Sequence, residues 1–152
     1  RSIEAWRQHA KLINLKSPIR LDATASDWTL AERGFPSSYT LIFCANVIHI
    51  APWRVAEGIV AGASRHLRDG GQLWLYGPFR RDGVHNAPSN VEFDESLRRK
   101  NPEWGVRDTT DLRALAELNN LSLQYIHEMP ANNAILTFAS ASYSATRNPE
   151  SP

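Results

Sequence analysis

Hydrophobic positions change their spacing along the chain, and each spacing predicts a different element. Residues 2–14 place apolar side chains three and four positions apart, which predicts an amphipathic helix. A short apolar segment at 19–23 predicts a strand. The nearly unbroken apolar run at 39–45, "YTLIFCA", predicts a second strand that is covered on both faces, as in a parallel sheet.

Helical spacing returns behind Pro52, a residue suited to a helix start, and continues to Leu67. Gly58 and Gly62 lie on one side of this predicted helix, where small residues permit close approach to a sheet. Gly70, in "RDGG", is the expected left-handed cap. The run "QLWLYGPF" that follows predicts another buried strand.

The last third of the chain predicts two helices and a hairpin. A long connection carries a short helix at 93–100, and Asp108 and Asp111 open a further helix. "LSLQYIHE" and "AILTFAS" predict two strands, and their short link "MPANN" fits an antiparallel hairpin. The pattern therefore predicts an α/β fold with a mixed, mainly parallel sheet, in one domain over residues 1–141 with a flexible tail at 142–152.

Composition is that of an ordinary globular protein. Of the 152 residues, 42% are hydrophobic and 22% are charged, and the formal net charge of +1 argues for neither a nucleic-acid nor a membrane partner. The single cysteine, Cys44, excludes an intrachain disulfide framework and favours a reducing, cytoplasmic compartment. No apolar run approaches the roughly 20 residues of a membrane-spanning helix.

Polar side chains stand where the predicted strands end, which is where open α/β sheets bind ligands. A carboxylate, amides, an imidazole and a phenol are expected to meet at this rim. Arg80 follows the rim in the pair Arg80–Arg81, which is either a solvated patch or a means of steering an anionic substrate. The residues at the predicted strand ends and in the hairpin link are Asp22, Ala23, Asn46, Ile48, His49, Tyr76, Phe79, Asn132 and Asn133.

Each polar candidate also has a structural interpretation. Asp22, two residues before Thr24, suits the capping of a turn about as well as it suits ligand binding. Asn46 suits hydrogen bonding to the backbone of a loop about as well as it suits ligand binding. His49 on an apolar face is more often a hydrogen-bonded core residue than a catalyst. Tyr76 fits the core with its hydroxyl at the rim. Both interpretations stay open on the residues alone.

Several motif classes are absent from the sequence. It holds no glycine-rich phosphate loop, of either the dinucleotide-binding or the lysine-containing kind. "GASRH" has only part of a nucleophile elbow, because Ser64 falls inside a predicted helix and the second glycine is missing. The other histidines show neither metal-ligand spacing nor a carboxylate partner pattern, so no metal is expected. They are His9, His66, His85 and His127.

The segment "CANVIHIAPWRVAEGIVAGASRHLRDGGQLWLYGPFRRDG" resembles the methyltransferase-like protein 26 family, a branch of the S-adenosylmethionine-dependent methyltransferase fold. The likeness covers nearly all of residues 1–139 and continues through "PSNVEFDESLRRKNPEWGVRD" and "EMPANN". "NVIHIAPW", "LYGPF", "PSN", "NPEWGVRD" and "MPANN" are distinctive together, whereas "DGG" recurs in many methyltransferases. The resemblance implies a Rossmann-like methyltransferase fold, S-adenosylmethionine as the cofactor and an unknown small-molecule acceptor.

The resemblance also implies a role for each cofactor-side candidate. Asp22 and Ala23 would face the adenine, with the carboxylate accepting a hydrogen bond from its exocyclic amine. Asn46 and Ile48 would flank the centre of the cofactor.

On the acceptor side, the resemblance implies that the rim is lined by His49, Tyr76, Phe79 and the Asn132–Asn133 link. Methyl transfer from a sulfonium depends mostly on positioning, plus removal of a proton when the acceptor is a hydroxyl or a protonated amine. His49 and Tyr76 are the candidates to assist that proton.

Proteins of the resembled fold begin with a strand, a glycine-rich turn, and a second strand that ends in a ribose-binding acid. "RSIEAW" looks like the helix after that second strand, so the glycine turn is expected before Arg1 and cofactor binding by this chain is expected to be weak or absent. A strand beside 39–45 would be missing too, which predicts an exposed edge with Leu41 and Phe43 and a twofold dimer. A strand at 19–23 that slides into that place would give a monomer instead. Two hypotheses follow: a methyltransferase-like domain, or a non-catalytic dimerisation or ligand-binding module derived from one.

Overall fold

The structure is a computed structural model that describes residues 2–140. Within this range, a mixed four-stranded sheet forms the centre of an α/β fold. The tail predicted at 142–152 lies outside the described residues, so the boundary at residue 141 stays a prediction.

The central sheet combines a parallel pair with an antiparallel hairpin. Strand β1 (Tyr39–Ala45) runs parallel to β2 (Leu67–Gly77), and helix α2 (Trp53–His66) connects them. Strands β6 (Leu121–Met129) and β7 (Asn133–Ser140) form the hairpin, and β7 pairs antiparallel with β2. The strand order is β1-β2-β7-β6, which confirms the predicted mixed α/β fold and its C-terminal hairpin.

A second, small sheet continues from the end of β2 and was not predicted, because its strands are too short to show a period. In it, β3 pairs antiparallel with β4 and parallel with β5. None of the helices in the described range is both long and apolar enough to cross a bilayer. The remaining elements are α1 (Ser2–His9), β3 (Phe79–Arg81), β4 (Val84–His85), α3 (Pro88–Lys100), β5 (Arg107–Asp108) and α4 (Thr109–Glu117).

The core lies between one face of the central sheet and the helices α2 and α4. Fully burying a Leu, Val, Ile or Phe side chain contributes about 1.5–3 kcal/mol, so this layer supplies much of the stability of the fold. Its most enclosed apolar side chains include Val60, Ala63, Leu73, Leu75, Leu112, Ala116, Leu136 and Phe138.

Residues 19–23 form no strand, which corrects the prediction for this segment. The loop that contains them packs on α2 instead. A Cβ on Gly62 would lie 2.0 Å from the Trp28 ring, and a Cβ on Gly58 would lie 2.1 Å from the Ala23 carbonyl oxygen. Gly58 and Gly62 therefore make room for this loop and not for the sheet. The Trp28 ring can be buried against α2 only where the helix carries no side chain.

Three predicted helix boundaries also move. Helix α1 ends at His9 instead of continuing to residue 14. Helix α2 ends at His66, before the predicted cap. Gly70 does have a left-handed φ of 72°, but within the irregular start of β2, where the pairing with β1 jumps from Leu67 to Gln72. Helix α3 begins at Pro88 instead of residue 93, since a proline is well suited to the first turn.

Strand β1 lies at an edge of the central sheet and is covered on one face only. Ile42 and Cys44 pack against the core, whereas Leu41 is 42% exposed and Phe43 is 54% exposed. The alternation of side chains along a strand puts these two pairs on opposite faces. The expected exposure of Leu41 and Phe43 is thus confirmed, and the predicted cover on both faces is wrong.

Candidate functional site

The carboxyl ends of β1 and β2 meet at one rim of the sheet. Asn46, directly after β1, donates its backbone N–H to the Tyr76 carbonyl oxygen at 2.9 Å. Asn46 has a φ of 60°, in the left-handed region that asparagine occupies more readily than most residues. This turn leads the chain into a short 3-10 helix, Val47–His49, in which Ile48 and His49 are buried.

His49 is fully enclosed, with 0% of its surface exposed. Its ring meets the Phe79 ring edge-to-face, with 5.1 Å between centroids. A Cβ on Gly77 would lie 2.3 Å from His49 Nε2 and 3.2 Å from Asn46 Oδ1. The absence of a side chain at Gly77 therefore lets the imidazole and the amide meet at the end of β2.

The two ring nitrogens of His49 have different surroundings. The Arg107 backbone N–H donates to Nδ1 at 3.4 Å, so the proton of the neutral ring belongs on Nε2. Nε2 is buried and has no hydrogen-bond partner among residues 2–140. Burial lowers the pKa of His49 to about 4, so the ring is neutral at pH 7 and keeps an unused Nε2–H donor.

The Arg107 side chain fixes the backbone around the 3-10 helix. Its Nε donates to the Ile48 carbonyl oxygen at 2.9 Å, and its Nη2 donates to the Ala51 carbonyl oxygen at 2.6 Å. Nη2 also donates to the Glu103 carbonyl oxygen at 2.8 Å, and the guanidinium lies 5.6 Å from the centre of the Trp53 ring. One cation thus holds the chain on both sides of the buried histidine.

The hairpin link lies at the same rim, because β7 starts beside the carboxyl end of β2. Asn132 adopts a φ of 58° in the turn, and its carbonyl oxygen accepts from Asn90 Nδ2 at 3.0 Å and from Asn86 Nδ2 at 3.2 Å. Asn133 Nδ2 donates to the Pro130 carbonyl oxygen at 3.3 Å. The link is therefore bound to the start of α3, which places both predicted asparagines at the rim.

Asp22 and Ala23 lie in the loop before β1. Asp22 Oδ1 accepts from the Thr24 hydroxyl at 2.7 Å and from the Thr24 backbone N–H at 2.9 Å, and these bonds lower the pKa of the carboxyl group. The Ala23 carbonyl oxygen accepts from Trp28 Nε1 at 3.4 Å. Asp22 thus makes the contacts of a turn cap, and both of these bonds end on Oδ1.

Tyr76 and His49 reach the rim from opposite faces of β2. Successive side chains on a strand alternate between faces. His49 packs at Gly77, whereas Tyr76 precedes that glycine and is half-buried, opposite Ile135 in the register. The structure therefore brings His49 together with Asn46 and Phe79 but not with Tyr76.

Arg80 lies on β3 next to a group of carboxylates. The Arg80 Nε is buried, and none of the described residues gives it a hydrogen-bond partner. Asp108 Oδ2 accepts from the Gly83 backbone N–H at 2.7 Å, which helps to hold the turn after β3. Arg80 lines a surface cavity of about 310 Å³, together with Asp82, Gly83, Asp108, Thr110 and Asp111.

The sequence pattern did not indicate that His85 has a carboxylate partner. His85 Nε2 lies 3.3 Å from Asp94 Oδ2, which corrects the expectation that His85 has no such partner. The two residues are joined by a loop and a helix start, so no periodic spacing signals their contact. "NPEWGVRD" was visible only as a motif, whereas in the structure its Gly105 N–H donates to the His49 carbonyl oxygen at 2.9 Å. Among residues 2–140, no group of three or more His, Cys, Asp or Glu side chains is arranged to hold a metal ion.

Solved structures with a similar fold include O-methyltransferases. The match to an O-methyltransferase family protein from Burkholderia thailandensis covers 91% of this chain and 40% of that protein, with a TM-score of 0.73 and 9% sequence identity. The mitomycin 7-O-methyltransferase MmcR matches 90% of this chain and 38% of its own, with a TM-score of 0.71 and 14% identity. The O-methyltransferase NcsB1 from neocarzinostatin biosynthesis matches 91% of this chain and 38% of its own, with a TM-score of 0.69 and 14% identity.

The chain therefore has a Rossmann-like methyltransferase fold and spans about two fifths of the length of these proteins. Residues 1–140 match the model of the family described as "Protein of unknown function (DUF938)", and the chain belongs to that family.

Proposed function

We propose that this chain is an S-adenosylmethionine-dependent methyltransferase-like domain of the methyltransferase-like protein 26 group, with a small-molecule acceptor. The observation that carries the proposal is the meeting of Asn46, His49 and Gly77 at the carboxyl ends of β1 and β2, where open α/β sheets bind ligands. NcsB1 was solved with S-adenosylmethionine and 2-hydroxy-5-methyl naphthoic acid, which supports the same ligand classes for this chain. A cytoplasmic location stays a prediction, supported by the single cysteine.

The cofactor would be held at this rim by residues that fit it in different ways. Asn46 is exposed at the end of β1 and presents a carboxamide, and Ile48 follows it as an apolar wall. Asp22 caps its turn through Oδ1, so Oδ2 suits the exocyclic amine of an adenine next to Ala23. When bound, the cofactor supplies an electrophilic methyl group.

His49 and Tyr76 are the proposed catalytic residues, with different roles. His49 carries its proton on Nε2 and has Nδ1 occupied by the Arg107 N–H. Because the ring is fully enclosed next to Gly77, its Nε2–H would act as a neutral donor to an acceptor oxygen only when the rim opens at Gly77. Tyr76 lies on the other face of β2 and would assist a proton only from that side. Phe79 is the proposed apolar wall for the acceptor, and the proposed polar rim around it is formed by Arg80, Asn132 and Asn133.

Nuclear magnetic resonance with S-adenosylhomocysteine tests the location of the cofactor site. At millimolar ligand, we expect amide shift changes at Ala23, Asn46 and Ile48, and smaller changes in Asn46→Ala. Asn120→Ala is the matched control, because Asn120 is also an exposed asparagine with a left-handed φ, 58°, but lies after α4. No shift changes, or changes confined to other parts of the fold, would contradict the proposal.

The affinity of the chain for S-adenosylmethionine is predicted to be weaker than micromolar. The sequence holds no glycine-rich turn to offer backbone N–H groups to the methionine end. Each hydrogen bond to a charged group is worth about 1.5–3 kcal/mol, and about 1.4 kcal/mol corresponds to a tenfold change in affinity. Isothermal titration calorimetry measures this directly, and a micromolar dissociation constant for this chain would show the prediction to be wrong.

A non-catalytic dimerisation module is the second candidate, and the exposed edge of β1 favours it. An edge strand presents unpaired backbone groups that a second copy can satisfy, and a twofold axis would cover Leu41 and Phe43 in both copies at once. We expect light scattering after size exclusion to give twice the chain mass of 17.1 kDa at micromolar concentration. Phe43→Lys should shift the protein to a monomer, whereas Tyr125→Lys, on the opposite edge strand β6, should not. A wild-type protein that runs as a single 17.1 kDa species would rule out the dimer.

A further inference from the structure

A second histidine near the rim has the arrangement of an oriented imidazole. His85 lies on β4 and pairs in register with Arg80. Its Nε2 lies 3.3 Å from Asp94 Oδ2, and the His85 side chain is only 16% exposed. Its other nitrogen, Nδ1, is buried and has no hydrogen-bond partner within the described part of the chain. The contact with Asp94 favours the Nε2–H form of the neutral ring, which leaves a lone pair on Nδ1.

Asp94 is itself held in place, which makes it a suitable orienting group. Its Oδ1 accepts from the Val106 backbone N–H at 2.8 Å and from Arg98 Nε at 3.1 Å. A Cβ on Gly105 would come within 2.6 Å of Oδ1, so the glycine allows the loop to approach the carboxylate. With Oδ1 engaged in this way, Oδ2 is the oxygen that faces His85.

A surface cavity of about 460 Å³ adjoins this pair. It has an apolar part suited to a flat ring and a polar part at His85, Asn86 and Glu92. Asn86 Nδ2 donates to the carbonyl oxygen of Asn132, so the cavity borders the hairpin link at the rim. The cavity is lined by His85, Asn86, Ala87, Pro88, Val91 and Glu92.

We propose that His85, oriented by Asp94, is the proton-accepting residue for a small planar acceptor that presents an acidic hydroxyl group in this cavity. This inference rests on the proposed function as a methyltransferase. His49 does not fill the role, because its Nδ1 already accepts from the Arg107 N–H and its Nε2 carries the ring proton. The two histidines thus divide the work: one donates a hydrogen bond, and the other accepts a proton.

The transfer step balances without a further reagent. A lone pair of the acceptor oxygen forms the new bond to the methyl carbon of the sulfonium donor, and the carbon–sulfur bond breaks with its electron pair left on sulfur. The hydroxyl proton passes to His85 Nδ1, and the donor leaves as a neutral thioether. The imidazolium that forms would be favoured by Asp94, which contacts the ring, and by Glu92 of α3, which lines the same cavity. It would be opposed by Arg98 of α3, which is paired with Asp94, and by Arg80 of β3, the register partner of His85.

The test uses 4-nitrophenol, a flat hydroxyl compound whose ionised form absorbs visible light, and needs neither cofactor nor methyl transfer. The wild-type chain is titrated with the probe at a pH where the free probe is mainly protonated. We expect the bound probe to show the phenolate band, because His85 Nδ1 takes its proton. We expect His85→Gln to lose this band. His127→Gln, at an exposed histidine on β6, is the matched control and should keep it.

Each outcome separates this inference from the proposed function. A phenolate band that persists in His85→Gln, a bound probe that stays protonated, or no binding would each overturn the role of His85, and none of these results bears on the S-adenosylhomocysteine experiment. Asp94→Asn keeps an amide oxygen for the Val106 N–H and should weaken the band while the protein stays folded. Circular dichroism melting curves of all variants confirm that a lost band does not reflect an unfolded chain.

Discussion

Acidification from pH 7 to pH 4 is expected to lower the free energy of unfolding by about 3 kcal/mol through His49 alone. Burial lowers the pKa of His49 to about 4 in the folded protein, against about 6.5 in an unfolded chain. The unfolded state therefore binds the extra proton first as the pH falls. The contribution of neutral His49 is fully present above pH 6.5, declines between pH 6.5 and pH 4, and is lost below pH 4.

Urea unfolding of the wild type and of His49→Gln at several pH values measures this effect. The variant lacks the titrating ring, so its stability should fall less over the same range. Other groups whose pKa is lowered, such as Asp22 and Asp108, titrate equally in both proteins and cancel in the difference. Parallel pH curves for the two proteins between pH 6.5 and pH 4 would show that His49 is not enclosed as the structure has it.

Replacing Arg107 with alanine is expected to lower the free energy of unfolding by about 3 kcal/mol, because it breaks a network of partly buried hydrogen bonds donated by a charged group. The guanidinium donates to the carbonyl oxygens of Ile48, Ala51 and Glu103, and these acceptors would lose their partner. Arg107→Lys should recover only part of the loss, since an ammonium group has no planar fork to reach several carbonyls.

The control for Arg107 is Arg99→Ala. Arg99 lies on α3, its side chain is 70% exposed, and its Nη1 is 3.6 Å from Glu95 Oε2. Exposed pairs of this kind are worth about 0.3–0.5 kcal/mol, so this variant should unfold almost like the wild type. Urea denaturation measures the free energy of unfolding of both variants. Equal losses in Arg107→Ala and Arg99→Ala would mean that Arg107 does not hold the loop at His49.

A comparison of Arg107→Ala with Asn46→Ala distinguishes a structural from a functional role at the rim. Arg107→Ala frees the backbone on both sides of His49, so it should reduce both stability and the S-adenosylhomocysteine shift changes at Asn46 and Ile48. Asn46→Ala removes an exposed carboxamide and should reduce the shift changes with a smaller loss of stability than Arg107→Ala, about 1 kcal/mol for an alanine at a left-handed φ. A protein in which Asn46→Ala is as destabilising as Arg107→Ala would return Asn46 to the structural interpretation.

The sequence alone determines several elements of this fold. The apolar run at 39–45, the helical spacing after Pro52 and the "MPANN" link define β1, α2 and the hairpin, because each is a local period or a short turn. The polar residues after β1 were also visible in the sequence, since a parallel strand followed by a helix ends at the ligand rim of an open sheet.

Only the tertiary structure decided what those residues contact. Residues 19–23 are apolar enough for a strand, yet the loop around them packs Trp28 into the bare surface of α2 at Gly62. The state of His49 depends on Gly77 and on the Arg107 N–H, groups that lie far from it in the sequence. Hydrophobic periods are properties of neighbouring residues, whereas burial, a ring tautomer or an ion pair depends on groups that meet only when distant segments pack together.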